Sequence, residues 1–128
     1  MQQQNVLSEI EFHLLSSTMD DREPLFILYS DMMRRHGAKG ANLESILQAL
    51  VKLVNLGFVK CFFDYGYGGK RKECNSLSIQ DLRKHCSGRT EDELRKYPLD
   101  SGEYEFEASP EGRKEEAKDI YKEDYLNL

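Results

Sequence analysis

The stretch Leu47-Gln48-Ala49-Leu50-Val51-Lys52-Leu53-Val54-Asn55-Leu56-Gly57-Phe58-Val59 changes its period in the middle. Before Gly57, apolar residues at 43, 46, 47, 50, 51, 53 and 54 cover one broad arc at helical spacing, which predicts a helix over 43–56 capped by Asn42. Gly57 stops it, since a residue without a Cβ adopts the left-handed conformation that ends helices. Beyond the glycine, Phe58-Val59-Lys60-Cys61-Phe62-Phe63 is aromatic and β-branched and predicts a strand, closed by the glycine-rich turn at 65–69. A helix therefore runs into a strand across a single glycine. As the most apolar helix in the chain, it is expected at the centre of the core.

Two further helices precede it. Over residues 8–18, Ile10, Leu14 and Leu15, with Phe12 alongside, recur at helical spacing, and Ser8 followed by Glu11 fits a capping box. Asp20 and Asp21 break the pattern. A second helix is expected over 23–36, capped by Asp21, with Pro24 in its first turn and Gly37 as its stop. Leu25, Leu28, Tyr29, Met32 and Met33 would form its buried face.

Downstream, Glu103-Tyr104-Glu105-Phe106-Glu107 alternates strictly, predicting a second strand with both aromatics inward and the three glutamates outward. The two strands are expected to pair. Between them, residues 64–102 form an insert carrying two short helices, one capped by Ser78 and ending at Gly88, the other opened by the Thr90/Glu93 box and closed before Pro98. Ser109-Pro110-Glu111 opens a terminal helix over about 110–124, with Ala117, Ile120, Tyr121 and Tyr125 as its apolar stripe. The fold class expected is α+β: three helices packed on a small antiparallel sheet, with a helical insert and a closing helix, in a single domain over 1–128.

Composition agrees with one folded unit, since 128 residues at 39% apolar and 32% charged suffice for a core. The net charge of -5 excludes a uniformly basic nucleic-acid coat and an electrostatically driven membrane binder. All of it comes from residues 101–128, which carry 4 basic and 9 acidic side chains against 14 of each before them. Cys61, Cys74 and Cys86 are odd in number and form no C-x-x-C pair, so a disulfide framework is not expected and a reducing cytoplasm fits best. No membrane span or export signal is read, and no cofactor is expected.

Two strings carry a resemblance. Leu47 to Val59 looks like the join of third helix and wing strand in a winged helix-turn-helix domain. Tyr104-Glu105-Phe106-Glu107-Ala108-Ser109-Pro110-Glu111-Gly112-Arg113 resembles the strand, Ser/Thr-Pro-x-Gly-Arg/Lys, helix join of small prokaryotic regulators of the MarR and PadR type. Together with the element order they cover about residues 8–63 and 103–121. The resemblance implies a non-enzymatic transcription regulator that inserts its third helix into the major groove of duplex DNA, with the strand-linking loop on the backbone. Lys39, Asn42, Ser45, Gln48 and Lys52 would then face the groove, with Glu44 and Asn55 beside them. Lys70, Arg71 and Lys72 are the phosphate-contact candidates. The alternative is a winged-helix module for protein–protein interaction, since the reading helix carries no arginine and the chain is acidic. The terminal helix could serve a homodimer or another protein partner.

Catalytic signatures are missing: there is no G-x-S-x-G, no H-E-x-x-H and no Walker lysine after the glycines. His13, on a polar or boundary face, and His36, in a last helical turn, read as structural. Gly66-Tyr67-Gly68-Gly69 reads as a turn, because no apolar helix comes after it. Cys61, Cys74, His85 and Cys86 could supply a zinc set by type, but their spacing argues against one. Met32, Met33, Phe62, Phe63, Tyr65 and Tyr67 read as core or seam before pocket lining.

Overall fold

The structure, a computed structural model, describes residues 6–66, 71–98 and 101–121. Tyr67, Gly68, Gly69 and Lys70 of the glycine turn, and the expected helical residues beyond 121 with Tyr125, lie outside the described residues. The elements in chain order are α1 (Glu9–Ser17), β1 (Glu23–Pro24), α2 (Leu25–His36), α3 (Leu43–Asn55), β2 (Val59–Asp64), β3 (Arg71–Cys74), α4 (Ile79–Cys86), α5 (Glu91–Leu94), β4 (Glu103–Ala108) and α6 (Pro110–Glu116). Short 3-10 turns occur at Gly37–Lys39 and Asp119–Tyr121. The class is α+β, helices against one small antiparallel sheet of strand order β1-β4-β2-β3.

Local signals set most helix starts. Ser8 and Glu11, Asn42 and Ser45, Ser78 and Asp81, and Thr90 and Glu93 each bond reciprocally as capping boxes, which satisfies amides that have no intrahelical acceptor. The core forms where α1, α2 and α3 meet the sheet: Phe12, Leu14, Leu15, Leu28, Met32, Ile46, Leu50, Leu53 and Phe106 are fully buried. Each such side chain contributes about 2 kcal/mol relative to an exposed one.

The expected pairing of the two strands occurs, with Val59 opposite Ala108 through Asp64 opposite Glu103. The two strings that carry the resemblance dock on each other just beyond that ladder. Ser109 accepts a hydrogen bond from the Gly112 amide as N-cap, donates its own hydroxyl to the Gly57 carbonyl, and donates its amide to the Phe58 carbonyl. A Cβ on Gly112 would sit 1.9 Å from the Phe58 carbonyl oxygen, so only glycine lets α6 approach this closely.

Several expectations are corrected. The second helix starts at Leu25, not 23, and Asp21 does not cap it: Pro24 holds the N-cap position without a side-chain bond. Glu23 and Pro24 are drawn instead into β1, paired with Phe106 and Glu105, an edge position where the missing proline N–H costs nothing. Met33 is only partly buried, and His36 takes its place on the inner face. The insert begins with a strand that the sequence reading missed, since β3 pairs with β2 as a hairpin. The glutamates of β4 do not all face outward, because Glu103 and Glu105 are buried with partners from distant segments. The terminal helix ends at Glu116; of the described stripe residues, Ala117 and Ile120 are exposed and Tyr121 packs into the core, stacked on Phe12. His13 is not on a boundary face. It is buried, with Nδ1 2.7 Å from Nε2 of His36.

Candidate functional site

The third helix presents its outer side beside a helix of the insert. α3 buries Ile46, Leu47, Ala49, Leu50 and Leu53, leaving Gln48, Lys52 and Asn55 exposed. α4 has a single buried stripe, Leu82 and Cys86, four residues apart on one face, with Ile79 partly buried next to it. That stripe seats α4 along α3 and leaves Arg83 on the outer surface. There Arg83 donates to both carboxylate oxygens of Glu44, at 2.9 and 2.7 Å. Gln48 donates to the same carboxylate at 2.8 Å. These bonds hold the Glu44 carboxyl below its ordinary range and raise the Arg83 guanidinium.

Two shallow grooves of about 440 Å³ each lie on either side of Arg83. One is lined by Gln48, Val51, Lys52, Asn55, Leu56, Ile79 and Arg83, and is mostly apolar. Leu56, 45% exposed, is among the few large apolar side chains left open to solvent. The other runs over Asn42, Leu43 and Leu47 to Cys86 and Ser87.

The residues expected to contact DNA separate into two places. Asn42 and Ser45 are bonded to each other as the α3 cap. Gln48 is held by Glu44, Lys52 is 3.2 Å from Glu11, and Lys39 is 3.6 Å from Glu9. Arg71 and Lys72 lie on β3, both exposed. Arg71 turns to Glu105 at 2.7 Å and to Asp64 at 4.0 Å, and the bond to Glu105 raises its guanidinium further. It lines a polar cleft of about 650 Å³ with Asp21, Arg22, Glu23, Glu105 and Glu107, which includes no α3 residue. Lys70 lies outside the described residues.

The sequence reading missed Val51, Leu56, Ile79 and Arg83 as site residues. Arg83 stood among interleaved charges of the insert, and only its position next to the Ile79, Leu82, Cys86 stripe could have marked it as lying beside another helix. It also missed the buried pair of His85 and Glu103, 2.8 Å apart, where the carboxylate accepts from the amides of Phe26 and Tyr104 as well. Phe63 and Tyr104 pack edge-on against the His85 ring, which makes this a sealed support for the sheet end rather than an open site. Among the described residues, no three His, Cys, Asp or Glu side chains converge as a metal would require, and no helix is long and apolar enough to cross a membrane.

Compared with protein-family models, with curated proteins and with solved structures, the chain gives no significant match.

Proposed function

We propose that this chain is a non-catalytic protein-binding module of winged-helix type, whose groove between α3 and α4 takes an apolar peptide segment flanked by carboxylates. Helix, short strand, two helices and a closing sheet in that order support the winged-helix part of the reading. The observation that carries the binding mode is the packing of α4 along α3 on its Leu82 and Cys86 stripe, with Arg83 paired to Glu44 across the two helices. A major groove about 12 Å wide admits one helix of that diameter. Two packed helices with axes about 9 Å apart present a face near 20 Å wide, too broad to enter it.

Charge points the same way. Lys39, Lys52, Arg71 and Arg83 are each paired with a carboxylate of the same chain, so these four offer no net positive surplus to a polyanion, whereas a single peptide carboxylate needs only one of the half-exposed cations Lys52 and Arg83. The first groove offers instead an apolar floor with Lys52 and Arg83 as its two charged lining residues and no lining carboxylate. That composition suits a helix or strand with apolar anchors and acidic neighbours.

A phage-displayed library of short peptides, selected on the immobilised chain, tests the reading. Enriched sequences should combine apolar anchors with acidic flanks and lose about tenfold or more in affinity against Leu56→Asp, a change at an exposed position. Peptides of no common chemistry, or ones that bind Leu56→Asp equally well, would contradict it.

A further inference from the structure

The register of β3 against β2 sets Cys74 directly opposite Cys61. Directly paired residues of an antiparallel ladder have Cα atoms about 4.5 or 5.5 Å apart and project to the same face. Both separations lie within the range of about 4.4–6.8 Å that disulfides span. The Cys61 thiol donates a weak hydrogen bond to the Phe62 carbonyl at 4.0 Å, and Cys74 lies near enough to add to the upward shift of that thiol. Their environments differ. Cys61 is 1% exposed, with Phe106 paired to it on its other side, whereas Cys74 is half-buried on the outermost strand. Burial raises the Cys61 thiol well above its ordinary value, leaving Cys74 as the sulfur that an oxidant in solution meets first.

We propose that Cys61 and Cys74 form a reversible redox modification site, which a peroxide converts into a cross-strand disulfide. Hydrogen peroxide takes the Cys74 sulfur to sulfenic acid: the O–O bond breaks, a C–S–OH group forms and one water leaves. The Cys61 sulfur then attacks the sulfenic sulfur. An S–S bond forms as the S–O bond breaks, and the departing hydroxide takes the Cys61 proton as a second water. Two thiols lose two electrons and two protons, and one peroxide becomes two waters. A dithiol reverses the step by exchange. Closing the bond fastens β3, and with it Arg71, to the sheet, and fixes the point from which the chain runs through Leu77 into α4.

The test uses the full reduced chain, treated with hydrogen peroxide, denatured, alkylated at its remaining thiols and measured by intact mass and by tryptic mapping. Two hydrogens lost, about 2 Da, with one alkylation and a linked pair of the 61–70 and 73–83 peptides, is the expected product. Dithiothreitol should restore three alkylations. Cys86, on α4 with its thiol pushed up to about 11 by burial, serves as internal reference and should remain alkylated. Cys86→Ser should leave the linkage in place, while Cys74→Ser should abolish it and leave Cys61 to be alkylated. A product carrying Cys74 sulfinic acid, a link to Cys86, a link between chains, or three unreacted thiols would overturn the proposal.

Discussion

Arg83 and Glu44, 39 residues apart in the chain, lie fork to fork on the outer surface where α4 crosses α3. Both side chains are close to half exposed, so water screens the attraction and the pair adds little to global stability. Its effect is local. Arg83→Ala should leave the unfolding midpoint nearly unchanged while amide exchange across α4 speeds up relative to α3. Unchanged exchange in α4 would show that Leu82 and Cys86 alone hold the helix in place.

Gly112 presses against the Phe58 carbonyl more closely than any side chain allows. Gly112→Ala forces backbone against backbone, which no rotamer relieves, and should cost about 3 kcal/mol or more in urea unfolding. Gly40→Ala, at a left-handed position with open space around it, should cost about 1 kcal/mol. Equal costs at the two sites would contradict the close approach of α6.

These contrasts mark what the sequence could disclose. Two capping boxes, the caps Asn42 and Ser78, the glycine after α3 and the strands β2 and β4 were legible because each signal lies within a few residues, though the boxes that Asn42 and Ser78 form with Ser45 and Asp81 were not read. Strand β3 was not: Arg71-Lys72-Glu73-Cys74 shows no apolar alternation, because its first three residues are exposed on the outermost strand. The buried glutamates of β4 were equally invisible. Alternation places acids outward by default, and what keeps Glu105 inside is Arg71, 34 residues away, as His85 does for Glu103 across 18. For the candidate site, α3 was legible as an exposed face, but its neighbour was not, since contact between two helices depends on how the insert folds back.

Glu103 and Glu105 lie in one strand and should respond differently to truncation. Glu103→Ala leaves a buried imidazole and two amides without their acceptor, and should cost about 3 kcal/mol. Glu105→Ala leaves Arg71, whose side chain is 56% exposed, to water and should cost about 1 kcal/mol. Urea unfolding of the two variants checks the difference, and similar losses would contradict the placement of Glu103 as the sealed partner.

His36 gives the fold an acid sensitivity. Burial, then the neighbouring His13, holds the His36 imidazole below its ordinary value, so the unfolded chain takes up a proton near pH 6.5 that the folded one still refuses. More protons bound in the unfolded state mean that stability rises with pH. Stability should therefore be full above about pH 7 and fall as the pH drops below 6.5. His36→Gln should remove that part of the slope, read from unfolding midpoints between pH 5 and 8. A wild-type midpoint that rises on acidification through this window would contradict the assignment.

The central claim is that α3, flanked by α4 and with its cations matched by acids, serves a protein partner. Fluorescence anisotropy of a labelled random duplex, titrated with the purified chain at low and at physiological salt, tests it most directly. The account predicts no binding at either salt concentration. Binding at low salt that weakens steeply as salt rises, with a shallower slope when Arg71 and Lys72 are changed to Ala, would contradict it and return the chain to the DNA-binding class.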